Sequence, residues 1–102
     1  MPLSASMKVK VLNGTLSARP LKEFGLKGRA SVFINRGHCI KLIDRSSRFL
    51  RKDAETFLRE LEVIAKEIDK ALVGHILIRR APICSKAKAF LEASGVSIEA
   101  VE

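Results

Sequence analysis

The residues of this sequence best suited to chemistry form a basic run just before its longest amphipathic segment. Arg45, Arg48 and Arg51 lie three residues apart, and Lys52 follows them. A helical turn would align side chains at that spacing on one side. Basic side chains bind phosphate oxygens, and an exposed Phe49 could stack on a base. The run predicts a phosphate-binding cluster, and the alternative is a solvated basic loop with Phe49 in the core.

The division of charge along the chain supports the phosphate-binding prediction. Residues 1–52 contain twelve basic and two acidic residues, residues 53–102 contain seven basic and nine acidic ones, and the net charge is +8. An excess of like charge destabilises a fold unless a polyanion offsets it. Nucleic acid is the polyanion that such a basic surface is expected to bind. We therefore expect largely sequence-independent contacts with DNA or RNA, without catalysis.

Four further cations stand where ligands commonly bind. Arg79 and Arg80 follow a predicted central strand, and open α/β sheets bind ligands at the carboxyl ends of their strands. Arg36 lies at the tip of a predicted hairpin, from which it could extend into a groove. Lys41 lies on a predicted strand and would add to a positive sheet surface, although ordinary alternation on a solvated face gives the same pattern.

Metal and nucleophile chemistry have less support in the residue types. Cys39 and Cys84 are too few and too far apart for a zinc site, and we expect two buried thiols. His38 and His75 belong to no metal-ligand motif and are expected at strand ends. The sequence has no glycine-rich phosphate loop. No cofactor is therefore expected.

Length and composition predict one folded domain. The chain has 102 residues, of which 47% are hydrophobic, and it contains no Gln and only two Asn. Residues 8–102 are expected to form the domain, after a flexible tail over residues 1–7. No apolar run suits a membrane span or a signal peptide, so a cytoplasmic protein is expected. The scarcity of amide side chains is typical of thermophiles and suggests an archaeal source.

The first half of the domain is predicted to be mainly antiparallel. Alternation over Lys8–Leu12 predicts a strand, and Pro20–Phe24 predicts a short helix with Pro in its first turn. Ala30–Asn35 and His38–Ile43 are rich in β-prone residues and flank a Gly-containing turn. They predict a β-hairpin.

The second half is predicted to be a β-α-β unit. An apolar stripe predicts an amphipathic helix over Asp53–Leu72, whose surface packs in the core or contributes to a homodimer or a larger nuclease complex. A buried strand over His75–Arg80, a helix over Lys86–Ser94 capped by Ser85 and a last strand from Val96 follow. The fold class is therefore α/β, with a mixed sheet of about five strands.

The closing part of the chain resembles the restriction-endonuclease-like fold. The segments that carry the resemblance are Gly74-His-Ile-Leu-Ile-Arg-Arg-Ala-Pro-Ile83, Ser85-Lys-Ala-Lys-Ala-Phe-Leu-Glu92 and Gly95-Val96. They resemble the last strand, helix and strand of archaeal single-strand and mismatch endonucleases. The resemblance extends over residues 38–102.

The catalytic motif of that family is not intact in this sequence. The family holds a divalent cation between carboxylates near a lysine, and the cation activates water. Here the hairpin offers only Asp44, Ser46 stands where the lysine would be, and Glu23 is the sole other candidate acid. The resemblance implies a fold that kept nucleic-acid binding or subunit assembly without the chemistry. The alternative is a divergent nuclease that uses Asp44, Glu23 and Mg²⁺.

Overall fold

A five-stranded sheet organises the computed structural model, which describes residues 5–13, 18–26 and 31–101. Its elements follow one another in an α/β order. They are α1 (Ala5–Leu12), β1 (Arg19–Pro20), a 3₁₀ helix (Leu21–Phe24), β2 (Ser31–Asn35), β3 (His38–Asp44), α2 (Arg51–Glu67), β4 (Val73–Arg79), α3 (Ser85–Ala93) and β5 (Ser97–Val101).

The sheet is mixed, and its strands lie in chain order from β1 to β5. β1, β2 and β3 are antiparallel, whereas β3, β4 and β5 are parallel and are joined through α2 and α3. The predicted α/β class, hairpin and C-terminal β-α-β unit are confirmed. The hairpin turn is Arg36-Gly37, and both residues have positive φ, at 49° and 81°. A two-residue turn of this kind matches the twist of the strands that it joins.

The predicted strand over Lys8–Leu12 is wrong, because these residues lie in α1. Five residues are too few to separate a strand from a helix by alternation alone. Val11 is buried at 3% exposure, whereas Val9 is 56% exposed, so the apolar residues do not share one strand face. Residues 5–7, predicted as a tail, also belong to α1, and residues 1–4 lie outside the described part of the chain.

The long helix is displaced from its predicted range of Asp53–Leu72. It begins at Arg51, where the Leu50 amide donates a hydrogen bond to the Asp53 carboxylate at 2.8 Å. It ends at Glu67, shortly before Asp69 takes a left-handed conformation with φ of 54°.

Two shorter helices also differ from their predictions. The helix expected over Pro20–Phe24 is a 3₁₀ helix that follows Pro20. Cys84, and not Ser85, is the residue that precedes the first turn of α3.

The core lies mainly between the sheet and the pair α2 and α3. On that face Ile76, Ile78 and Ile98 pack against Phe57 of α2 and Leu91 of α3. We call this side the α2 face of the sheet. The apolar stripe of α2 packs against this face. An interface with another protein chain through this helix stays a prediction. No helix among the described residues has the length and apolarity to cross a membrane.

The other side of the sheet, which we call the α1 face, has a smaller cluster. There Val11 of α1 packs with Ile40 of β3 and Leu77 of β4. The Lys8 ammonium of α1 lies 2.6 Å from the Glu99 carboxylate of β5. Strand alternation explains the division, because neighbours such as Cys39 and Ile40 point to opposite faces.

The close approach of β4 to α2 depends on Gly74. A Cβ atom at this position would lie 2.8 Å from Leu61 Cδ2 and 2.9 Å from Phe57 Cε2. Gly74→Ala should therefore lower the free energy of unfolding by about 1–3 kcal/mol through overpacking. Urea denaturation measures the loss, with the adjacent, partly exposed Val73→Ala as the control. Equal stability of Gly74→Ala and the parent protein would contradict this packing.

Candidate functional site

The loop before α2 and the loop before α3 are bonded to each other. The Phe49 amide donates to the Pro82 carbonyl at 2.8 Å, and the Cys84 amide donates to the Phe49 carbonyl at 3.0 Å. Phe49 and Ile83 thus form a parallel bridge beyond the ends of β3 and β4. The starts of both helices are therefore held side by side at the carboxyl edge of the parallel strands.

Seven cations are carried at this edge, and we call them the basic rim. The strand ends, the two loops and the first turns of the helices supply them: Arg45, Arg48, Arg51, Lys52, Arg79, Arg80 and Lys86. Among the described residues, three carboxylates accompany them, those of Asp44, Asp53 and Glu55, so four positive charges remain in excess within that set. Helix N-termini add partial positive charge at the same edge.

Asp44 and Asp53 hold part of the rim in place. Asp44 lies 2.8 Å from the Arg80 guanidinium and 3.9 Å from that of Arg79. One carboxylate thus contacts both arginines at the carboxyl ends of β3 and β4. Asp53 lies 2.8 Å from Arg45, which also donates to the carbonyls of Ser47 and Arg48 at 3.3 Å. Through these contacts the arginines hold the strand ends and the loop in position. The acids offset part of their positive charge.

The remaining cations of the basic run are more accessible. Arg48 and Lys52 are exposed and form no ion pair within the part of the chain that the structure describes. Arg51 makes an exposed contact of 3.6 Å with Glu55 and lies 5.0 Å from the centre of the Phe90 ring. Exposed pairs of this kind contribute little to stability, so they leave the Arg51 charge available.

The pKa of the Cys84 thiol is lowered mainly by the start of α3 and to a smaller extent by cations of the rim. Backbone N–H groups of Ala87 and Lys86 lower the pKa of its thiol, and the charges of Arg48 and Lys86 lower it further. The same positive field would favour a phosphate oxygen.

Two features of the predicted cluster are corrected by the structure. Phe49 is completely buried in the main core and cannot stack on a base, and the Arg45 guanidinium lies 5.8 Å from its ring. Arg45, Arg48 and Arg51 do not share a helical turn, because α2 begins only at Arg51. The loop bridge at Phe49, rather than helical spacing, brings the cations together.

Lys41 is also not available to phosphates. It lies on the α2 face of β3, where its ammonium is 2.7 Å from the Glu60 carboxylate, and the two side chains are only 13% and 9% exposed. Burial, with the Glu60 charge, raises the pKa of the neighbouring Cys39 thiol to about 12. Arg36, in the β2–β3 turn, is at the opposite edge of the sheet from the rim. Six of the nine predicted binding residues therefore come together.

The two acids of the alternative nuclease site are each engaged by arginine. Asp44 contacts Arg79 and Arg80, and Glu23 of the 3₁₀ helix accepts a hydrogen bond from Arg19 at 3.1 Å. Among the described residues, no group of three or more histidine, cysteine or acidic side chains could hold a metal ion. The structure thus offers Asp44 as a structural acid that orders two arginines.

The structure also brings into contact two histidines that are far apart in the sequence. His38 Nδ1 lies 2.9 Å from His75 Nε2, and His75 Nδ1 lies 2.6 Å from Ser97 Oγ. The parallel pairing that puts Ile40 opposite His75 explains the contact, because His38 lies two residues earlier on the same face. Burial, and then the His38 charge, lowers the pKa of His75 to about 4.

Comparisons of this chain with protein-family models, with curated proteins and with solved structures found no match. The resemblance to the restriction-endonuclease-like fold therefore stays a prediction.

The buried Lys41–Glu60 pair gives a test of the α2 face. Lys41→Met should lower the free energy of unfolding by about 3–5 kcal/mol, because it leaves the Glu60 charge buried without its partner. Lys41→Met with Glu60→Leu should recover most of that loss, since no charge then stays buried. Urea denaturation of the single and double variants measures both effects. Additive losses in the double variant would contradict a coupled pair.

The buried histidine predicts a dependence of stability on pH. His75 titrates near pH 4 when folded and near 6.5 when unfolded, so the unfolded chain binds more protons between these values. Stability should fall as the pH drops from 6.5 towards 4, by about 2 kcal/mol between pH 7 and pH 5. Urea denaturation of the parent protein and of His75→Gln isolates this contribution. An equal pH dependence in both proteins would exclude His75 as its source.

Proposed function

We propose that this protein binds nucleic acid through the basic rim, by phosphate contacts that are largely independent of sequence and without catalysis. The observation that carries the proposal is the bonding of the two loops at Phe49, Pro82 and Cys84. It concentrates cations from distant parts of the chain at one edge, next to two helix N-termini. The scarcity of Asn and Gln is typical of thermophiles, and the proposal includes a cytoplasmic location in a thermophilic archaeon.

The cations of the rim divide into two roles. Arg45 and Arg79 support the surface, since each is engaged by a carboxylate. Arg48, Arg51 and Lys52 contact phosphates, because they are exposed and are weakly paired or unpaired in the described part of the chain. Binding releases counterions from the polyanion. It also reduces the electrostatic repulsion among these three cations, which otherwise lowers the stability of the fold.

Arg80 belongs to both roles. Its Nε donates to Asp44 at 2.8 Å, and the side chain is 67% exposed. An arginine that is oriented through Nε can still present its terminal N–H groups to an anion. Phosphate contacts of this kind set position and carry no sequence information. The burial of Phe49 agrees with binding by backbone contacts rather than by stacking on bases.

Neutralising the exposed part of the rim tests the proposal. The triple variant Arg48→Ala, Arg51→Ala and Lys52→Ala should weaken binding to a short labelled DNA duplex, its single strands and an RNA of the same length by about tenfold or more. The plot of log affinity against log salt should become less steep by about 2–3, as expected for three lost phosphate contacts. Fluorescence anisotropy at several salt concentrations gives both quantities.

The matched control removes three exposed lysines elsewhere. Lys10→Ala, Lys22→Ala and Lys66→Ala lower the net charge equally but lie in α1, the 3₁₀ helix and the last turn of α2. This variant should keep the parent slope and most of the affinity. If both triple variants weakened nucleic-acid binding equally, the affinity would depend on net charge and not on the rim. Affinity that does not change with salt in the parent protein would overturn the proposal.

A further inference from the structure

A second cationic site lies at the amino edge of the parallel strands, opposite the basic rim. It is a cavity of about 350 Å³ between the β2–β3 turn, β1 and the connection from α2 to β4. This volume is within the range of small-molecule pockets. The cavity shares no lining residue with the rim.

Three cations from three parts of the chain line this cavity: Arg19, Arg36 and Lys70. No acidic side chain of the described residues lines it. Glu23 lies beside it and orients Arg19 through Nε at 3.1 Å, while the Arg19 guanidinium lies 4.9 Å from the centre of the Phe24 ring. Glu23 therefore offsets one of the three positive charges, and an excess of two remains among these described residues.

Arg36 has a backbone conformation that is uncommon for an arginine. Arg36 is the first residue of the two-residue turn and has φ of 49°. Asn, Asp or Gly is usual there, because a side chain with a Cβ is disfavoured in the left-handed region. A non-glycine residue held in such a conformation is a reason to look for function. The positive φ at Arg36 is therefore consistent with a role for its cationic side chain.

The rest of the lining combines apolar residues with Asn35 and Gly37. Ile34 of β2, with Ile68 and Leu72 from the end of α2 and its connection to β4, line it beside the cations. We propose that the cavity binds a phosphate monoester whose organic group packs against these apolar residues. A phosphate monoester carries a charge of about −1.5 to −2 at pH 7, which suits several cations. Its sources would be a free nucleoside monophosphate or the 5′-phosphorylated end of a strand.

Titration with adenosine 5′-monophosphate, adenosine and inorganic phosphate tests the ligand class. Calorimetry gives affinities, and the amide signals of Gly37 and Leu72 in NMR spectra locate the binding. The monophosphate should bind about tenfold or more tightly than either adenosine or phosphate, because only it engages both the cations and the apolar wall. Equal binding of adenosine and the monophosphate, or no binding of the monophosphate at millimolar concentration, would overturn the proposal.

Two variants and a control locate the site. Arg36→Gly suits the left-handed turn, so it should stay folded while weakening monophosphate binding about tenfold. Lys70→Ala should have a similar effect. Lys66→Ala, one turn earlier on α2 and outside the cavity, should bind like the parent protein. Unchanged binding by Arg36→Gly would refute the site.

The source of the phosphate is decided by a further pair of ligands. A 5′-phosphorylated dinucleotide that binds more tightly than both its 5′-hydroxyl form and the monophosphate supports a site for strand ends. Tighter binding of the monophosphate supports a site for free nucleotides. The triple variant of Arg48, Arg51 and Lys52 should bind the monophosphate normally, which separates failure of this site from failure of the rim.

Discussion

The parallel pairing of β3 with β4 is the constraint on which the rest of the structure depends. Seven residue pairs join the two strands, from His38 opposite Val73 to Asp44 opposite Arg79. The pairing links segments far apart in sequence, so its loop-closure entropy has to be offset by burial. Residues such as Ile76 supply that burial on the α2 face. One register thereby determines both the carboxyl edge with its arginines and the histidine contact on the α1 face.

The elements with strong local signals could be predicted from the sequence. The stripe of α2 repeats over several turns, and the hairpin has a Gly-containing turn between two β-prone runs, so both were found within a few residues. The helix boundaries shifted because capping by Asp53 and the left-handed Asp69 act through individual hydrogen bonds and dihedral angles. The strand predicted at Lys8–Leu12 failed because five alternating residues also fit a helix with Val11 buried.

The candidate site could be predicted only in part, because its residue types are visible in the sequence and its pairings are not. The excess of cations near Arg48 is local, and it remains at the surface. Pairing of Lys41 with Glu60 requires β3 to face α2 at one register, and burial of Phe49 requires its loop to bond with Pro82. Long-range contacts of this kind leave no pattern in a single sequence. The same reasoning explains why His38 and His75 looked unrelated.

The helices on the two sides of the sheet are anchored to different extents, and this difference affects how easily each side opens. α2 and α3 are anchored by many buried side chains, whereas the described side chains of α1 attach it through the buried Val11 and the Lys8–Glu99 ion pair. Elements with few buried contacts open at lower free energy than the rest of a domain. Amide hydrogens of α1 will therefore exchange with solvent through a local opening that leaves β4 protected. In that opened form, water reaches Ile40 and Leu77 while the larger core stays closed.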